Sequence, residues 1–213
     1  METEYYIEKD GQVFLVDHHG RLCFPKKHEV TIPFEEVAAM PISKKDVRFC
    51  LAKIKHFPTD WTPKDDVPGM ENVDRTVRIA VNRSLVRHVV DGVIVKDGKL
   101  LIVKNARGFT KDKWDLPGGF ITYPDSPATS LIREVKEETG LDVKPRKLFH
   151  VGTGTSELAN MYFISFFYVC DVAGGDLMPD PDEISAVEWV DLETAIERTE
   201  GFIRDALEVY RKQ

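Results

Sequence analysis

The stretch from Leu116 to Leu141 reads Leu-Pro-Gly-Gly-Phe-Ile-Thr-Tyr-Pro-Asp-Ser-Pro-Ala-Thr-Ser-Leu-Ile-Arg-Glu-Val-Lys-Glu-Glu-Thr-Gly-Leu, and it constrains the chain more than any other. It marks both ends of a helix. Ser126 is a good N-cap, Pro127 suits the first helical position because its missing N–H would be unpaired there anyway, and Gly140 suits a left-handed C-terminal cap. A helix over Pro127 to Thr139 is therefore expected, with Ala128, Leu131, Ile132 and Val135 forming the i, i+3, i+4, i+7 stripe that packs on a sheet. Glu134, Glu137 and Glu138, at i, i+3 and i+4, gather on another face in the last turns. There they repel one another and face the negative end of the helix macrodipole.

A bound divalent cation removes both penalties, and oxygen donors without histidine or cysteine suit Mg²⁺ or Mn²⁺. The Gly118-Gly119 turn lets bare backbone approach the same place, offering a carbonyl ligand or an N–H for a phosphate oxygen. The competing reading is a solvated glutamate-rich face with Arg133 paired to Glu137 at i+4, since charge runs on helices are usually surface.

The 213 residues fit one catalytic core with a small appendage, and 42% apolar with 31% charged residues leaves enough side chains for a real core. A formal net charge of −7 argues against sequence-independent binding to nucleic acid, which relies on clustered Lys and Arg. It leaves open a small anionic substrate whose attraction is carried by bound cations. Cys23, Cys50 and Cys170 are odd in number and widely spaced, unlike a disulfide framework, so a reducing cytoplasm is expected. The first residues lack the pattern of a secretion signal, and the most apolar run, near Met161 to Val172, is too short and too polar for a membrane span.

Asp10-Gly11 supplies a tight turn between strand-like runs Glu4 to Lys9 and Gln12 to Asp17, with a third at Arg21 to Phe24. Ser43 with Asp46 reads as a helix N-terminus, and Val47, Cys50, Leu51 and Ile54 follow at helical spacing. The proline-broken and acidic stretch His56 to Met70 reads as a linker. Glu71 to Arg87 is either a surface helix or a strand. A second turn, Asp97-Gly98, joins His88 to Val95 and Lys99 to Lys104 as a hairpin. Strands at Lys147 to Gly152, Met161 to Val172 and Ala186 to Val190, then helices near Leu192 to Arg198 and Phe202 to Arg211, complete an α/β or α+β sandwich.

Gly119, five residues, Asp125, seven residues, then Arg133-Glu134-Val135-Lys136-Glu137-Glu138-Thr139-Gly140-Leu141 resembles the Nudix box, G-x5-E-x7-R-E-U-x-E-E-x-G-U with U apolar. All fixed positions agree except Asp125, where the family usually has Glu; its shorter reach leaves it suited to the helix N-terminus. Trp114-Asp-Leu-Pro-Gly-Gly119 is also how many such proteins enter the motif.

The resemblance implies a Nudix-type α/β/α sandwich with a mixed sheet over residues 71–213, preceded by a small β-rich subdomain with a hairpin and helix over residues 1–70. It implies Mg²⁺-dependent (or Mn²⁺-dependent) hydrolysis of a nucleoside diphosphate linked to another moiety, such as ADP-ribose, a dinucleotide or a nucleoside triphosphate. Glu134 and Glu138 would be the principal metal ligands, with Glu137 alongside, the Gly118 carbonyl completing the sphere and Arg133 orienting the carboxylates. The base comes from the helix or from a later loop in different relatives; Glu183 is the loop candidate here, against its reading as an exposed acid. Lys104, Arg107, Lys111 and Lys113, with the backbone of Gly119, could meet phosphates, and Phe109, Tyr123 or Tyr162 could stack a base. A zinc site from Cys23, His28, Cys50 and His56 lacks paired Cys-x-x-Cys hooks, and packed thiols are the expected alternative. The alternative function is a non-catalytic nucleotide sensor acting through its N-terminal segment, disfavoured because the box acids are retained. Dimerisation through the N-terminal hairpin is a further expectation.

Overall fold

The computed structural model describes residues 2–40, 42, 44–56, 58–108, 110–156 and 161–213. The chain divides into two units, Met1–Leu85 and Val86–Gln213.

In the first unit Asp10 and Gly11 both take positive φ (47° and 79°), so the chain reverses tightly between β1 (Glu4–Lys9) and β2 (Gln12–Phe14). The run expected to continue to Asp17 breaks at Leu15. Its second half, β3 (Val16–His18), pairs instead with β4 (Arg21–Cys23) in a separate ribbon. β5 (Phe34–Met40), β6 (Val47–Ala52) and β7 (Thr62–Pro63) complete a five-stranded sheet of order β5-β6-β1-β2-β7, in which β1 and β6 run parallel.

β6 corrects the helix expected from Val47 to Ile54. Val47, Phe49 and Cys50 favour a pleated backbone, and pairing on both edges, with β1 and β5, satisfies it. Val47, Cys50 and Ala52 are buried whereas Leu51 is 40% exposed, so the helical spacing of apolar residues was coincidental. The N-cap proposed at Ser43 lies outside the described residues.

The stretch read as a linker carries β7 and a single 3₁₀ turn, Val67–Gly69, with Val67 fully buried. Arg78 donates to the carbonyls of Val67, Pro68 and Met70. Arg78 belongs to α1 (Arg75–Ser84), which settles the choice left open for Glu71 to Arg87. Asp74 caps this helix by accepting the Thr76 N–H at 2.8 Å. Val77, Ala80 and Val81 pack with Tyr6, Val13, Phe24 and Val47, and the Tyr6 and Phe24 rings stack at 5.0 Å.

The second unit begins with β8 (Val86–Lys96) and β9 (Lys99–Asn105), joined by Asp97-Gly98 at φ 49° and 75°. β10 (Trp114–Asp115), β11 (Gly118–Phe120), α2 (Pro127–Thr139), β12 (Asp142–Ser156), β13 (Met161–Gly174), β14 (Ile184–Val190), α3 (Leu192–Arg198) and α4 (Gly201–Arg211) follow. β10-β9-β8-β13-β12 form one path, β11 pairs with β8 and β14 with β9, and β8 and β13 run parallel.

Residues alternate between two cores, as strand geometry requires. Val90, Ile94, Leu101 and Cys170 face Leu131 and Val135 of α2, while Val93, Leu100, Ile102 and Phe167 face Ala195, Ile203 and Leu207 of α3 and α4. The unit is thus an α/β/α sandwich on a mixed sheet. No helix among the described residues is long and apolar enough to cross a membrane. The described cysteines are free, and burial pushes the thiols of Cys50 and Cys170 up to about 11 and about 12.

If β6 rather than a helix carries residues 47–52, Cys50→Asp buries a charge and destabilises the protein by about 3 kcal/mol or more, while Leu51→Thr stays within about 0.5 kcal/mol. Urea denaturation measures both; equal losses would contradict the strand.

Candidate active site

The second helix is capped as its sequence dictates. Ser126 Oγ accepts the Thr129 N–H at 3.2 Å, Pro127 opens the helix, and Gly140 takes φ 77° at its end. Its buried face is rotated from the expected stripe. Ser130, Leu131, Val135, Glu138 and Thr139 are buried, whereas Ile132 is 43% exposed. The rotation carries Glu138 and, in part, Glu134 toward the sheet, while Glu137 stays exposed.

Glu138 is only 8% exposed and accepts the Gly118 N–H at 3.0 Å. Two glycines make this approach possible. A Cβ at Gly118 would fall 2.1 Å from the Val90 carbonyl oxygen of β8, and one at Gly119 would fall 2.5 Å from Cδ of Glu134. Bare backbone is therefore required where β11 meets the sheet at Gly118, whereas a methyl group at Gly119 would have to displace the Glu134 carboxylate.

Arg133 gathers the remaining acids. It pairs with Glu134 at 2.9 Å, Glu137 at 3.0 Å and Asp125 at 3.9 Å, and donates to Thr122 Oγ1 at 3.0 Å. The i+4 pair of the solvated-face reading is present, but as one arm of this cluster. The 3.9 Å contact shows that Asp125, despite its shorter side chain, still reaches Arg133.

Arg133, Glu134, Glu137 and Glu138 line a cavity of about 460 Å³, and Asp125 and Thr122 lie off it. Its walls hold Gly118, Gly119, Arg133, Glu134, Glu137 and Glu138, and also Arg107 and Glu183, which form an ion pair. The loop acid thus shares the cavity with the helix acids. Lys104, Lys111 and Lys113 do not line it; Lys113 pairs with Glu200. Tyr123, 95% exposed, and Tyr162 also lie off it, and Phe109 is outside the described residues.

The structure adds residues that the sequence reading missed. Asp91 on β8 is 7% exposed and accepts a hydrogen bond from Ser165; Asp115 accepts the Leu116 N–H at 2.8 Å and the Asn105 amide at 3.3 Å. Phe120, Phe163 and Phe202 complete the lining. The acidic half of Trp114-Asp-Leu-Pro-Gly-Gly119 was visible as a signal for Asp115, while nothing local marks Asp91.

Burial dominates the electrostatics. It pushes Glu138 up to about 9 against the opposing Gly118 hydrogen bond, and it raises Glu134 against the pull of Arg133. Burial, then the neighbouring Asp115, holds Asp91 well above the usual carboxylate range, and burial lifts Asp115 to about 6.

The donor set fits a hard divalent cation, because the cavity offers carboxylate and backbone oxygens with neither histidine nor cysteine. A cation would also supply the charge that buried Glu138 lacks. Among the described residues no three acidic, histidine or cysteine side chains already close on one point, so the carboxylates line the cavity without enclosing an ion.

A family model described as NUDIX domain matches residues 86–211, more than half of the chain. The chain is 36% identical over 103 residues to a protein of Methanocaldococcus jannaschii named ADP-ribose pyrophosphatase, covering 48% of this chain and 60% of that one. It is 34% identical over 110 residues to a MutT-like protein of Streptomyces ambofaciens, covering 51% and 66% respectively. The chain thus spans less than two thirds of either relative. A NUDIX hydrolase structure from Nitrosomonas europaea matches with a TM-score of 0.53 at 24% identity, over 60% of this chain and 90% of that one, which shows a common fold.

The two glycines differ in what a methyl group would displace. Gly118→Ala collides with backbone and destabilises the protein by about 2 kcal/mol, whereas Gly119→Ala meets only a flexible carboxylate and costs less than about 1 kcal/mol. Chemical denaturation of both variants checks the order.

Proposed function

This chain belongs to the NUDIX domain family, and from that premise we propose that it hydrolyses a phosphoanhydride bond in a nucleoside diphosphate linked to another moiety. The observation that carries the reading is Glu138, 8% exposed, beside Glu134 and against the bare backbone of Gly118. A carboxylate held this far from water costs several kcal/mol unless it is protonated or meets a cation.

In this reading Glu134, Glu137 and Glu138, with the Gly118 carbonyl, hold Mg²⁺ or Mn²⁺. When bound, such a cation neutralises charge on the phosphate oxygens and lowers the pKa of water. Arg133 fixes the carboxylates of Glu134 and Glu137 through its two terminal nitrogens. Arg107 exchanges its contact with Glu183 for a phosphate oxygen, and the freed Glu183 carboxylate takes the proton of the attacking water. As the water oxygen bonds to phosphorus, the bridging P–O bond breaks and two phosphorylated products leave. The backbone of Gly119 borders the substrate without crowding it. The name of the archaeal relative makes ADP-ribose the first substrate to test, with dinucleotides and nucleoside triphosphates on the same chemistry.

Purified protein incubated with Mg²⁺ or Mn²⁺ and this panel is expected to turn over at least one compound, with activity lost to a chelator. Glu138→Gln is expected to lower kcat/KM by about 100-fold or more, and Glu183→Gln to lower kcat by about 100-fold. No turnover of any compound, or unchanged turnover in Glu138→Gln, would sink the proposal.

A further inference from the structure

The acceptors around Arg133 do not hold it equally. Nη1 donates to Glu137 at 3.0 Å, while Nη2 meets Glu134 at 2.9 Å, Thr122 Oγ1 at 3.0 Å and the Phe120 carbonyl at 3.4 Å. Nε is left with Asp125 at 3.9 Å, which is charge attraction without a hydrogen bond. A guanidinium is planar and its donors point within that plane, so the angle at which Nη2 is held decides how Glu134 is met. The Glu137 side chain is 55% exposed and free to follow Arg133 rather than fix it. The Thr122 hydroxyl is different, because everything behind it is fastened.

The Ile121 N–H donates to the His88 carbonyl of β8 at 3.0 Å, which ties the chain to the sheet just before Thr122. The Thr122 N–H donates to Oγ of Ser130 at 3.2 Å, and Ser130 is fully buried on α2. The Thr122 carbonyl accepts the Asp125 N–H at 2.7 Å and closes the turn that leads to the Ser126 cap. Sheet, helix and turn thus each hold the backbone of one residue. Its branched side chain has a single stiff torsion left to order, so placing the hydroxyl costs little entropy. We propose that Thr122 is a positioning residue: its hydroxyl, placed by Ser130, keeps the Arg133 guanidinium in the plane in which Nη2 meets Glu134, a task that Asp125 at 3.9 Å serves only through its charge. Thr122 lies off the cavity and acts through Arg133 alone. The inference rests on the hydrolase reading for its effect on turnover, and on the hydrogen bonds by themselves for its effect on Arg133.

Two measurements separate these effects. The Arg133 Nε–Hε signal in NMR spectra, assigned by its absence in Arg133→Lys, reports how fast the guanidinium exchanges protons with water. Thr122→Val keeps the branched shape without the hydroxyl and is expected to speed this exchange by about tenfold, as for the loss of one hydrogen bond to a charged group. Thr122→Ser brings it back, and so does Asp125→Glu added to Thr122→Val, since one more methylene carries the carboxylate to Nε. In turnover with Mg²⁺ and a hydrolysed compound of the panel, Thr122→Val lowers kcat by about tenfold with KM within about twofold, and the same two changes recover it. Unchanged exchange in Thr122→Val, or a loss that Thr122→Ser does not recover, would overturn the assignment. A protein that shows the exchange pattern yet hydrolyses nothing keeps the positioning role and loses the hydrolase reading. Turnover with unchanged exchange does the reverse.

Discussion

The arrangement of the second unit depends on one hydrogen bond, from the Gly118 N–H to the buried carboxyl of Glu138 at 3.0 Å. It ties β11 to α2, and β11 is already locked to β8 by an approach so close that a Cβ at residue 118 would strike the Val90 carbonyl at 2.1 Å. The helix cannot slide along the sheet without breaking this bond, and Glu138 cannot swing to water without leaving it. Leu131 and Val135 supply the apolar contact that holds the helix down. The hydrogen bond fixes where along the sheet that contact forms. A hydrogen bond from an uncharged N–H to a buried carboxylate offsets only part of the cost of removing that charge from water. What remains is an electrostatic demand placed at the cavity by the packing itself.

Arg133 is the counterpart on the outer face. With Glu134, Glu137, Asp125 and Thr122 around one guanidinium, the acids adopt a single arrangement although they repel one another. A planar fork of donors can serve several carboxylates at once, which a lysine ammonium on a flexible stem does less well. Glu134 therefore answers to two constraints, the guanidinium on one side and the bare Gly119 on the other. Its half-buried position follows from both.

What the sequence made legible is what local chemistry decides. The caps at Ser126 and Gly140 and the Asp-Gly turns each act within a few residues, and each is found as expected. The helical spacing from Val47 to Ile54 misled because a strand paired on both edges also draws apolar residues at irregular intervals; the parallel partner that decides the matter, β1, lies some forty residues earlier in sequence. The stripe on α2 was right in type and wrong in rotation, since Ile132 and Glu138 exchange the expected places of apolar and acidic residues. Asp91 meets Ser165 only because β8 and β13 run parallel, and Phe120, Phe163 and Phe202 meet only through the whole topology. No pattern within one element encodes such meetings.

The charges of the cavity bring these strands of argument together. Asp91, Asp115, Glu134, Glu137, Glu138 and Glu183 line it against Arg107 and Arg133, and both arginines are already paired with acids from the same set. The chain as a whole adds a formal net charge of −7. A phosphate entering such a cavity meets repulsion from every side except those two guanidiniums. Protonation relieves part of this, and burial raises Glu138, Asp91 and Asp115 far enough that protons compete for them. Protons alone, however, neutralise the acids without attracting an anion. Only a species carrying more than one positive charge both satisfies the buried carboxylates and leaves an excess for phosphate oxygens. The same surplus of acid that makes the cavity unwelcoming to an anion by itself is what suits it to hold the cations through which an anion could be bound.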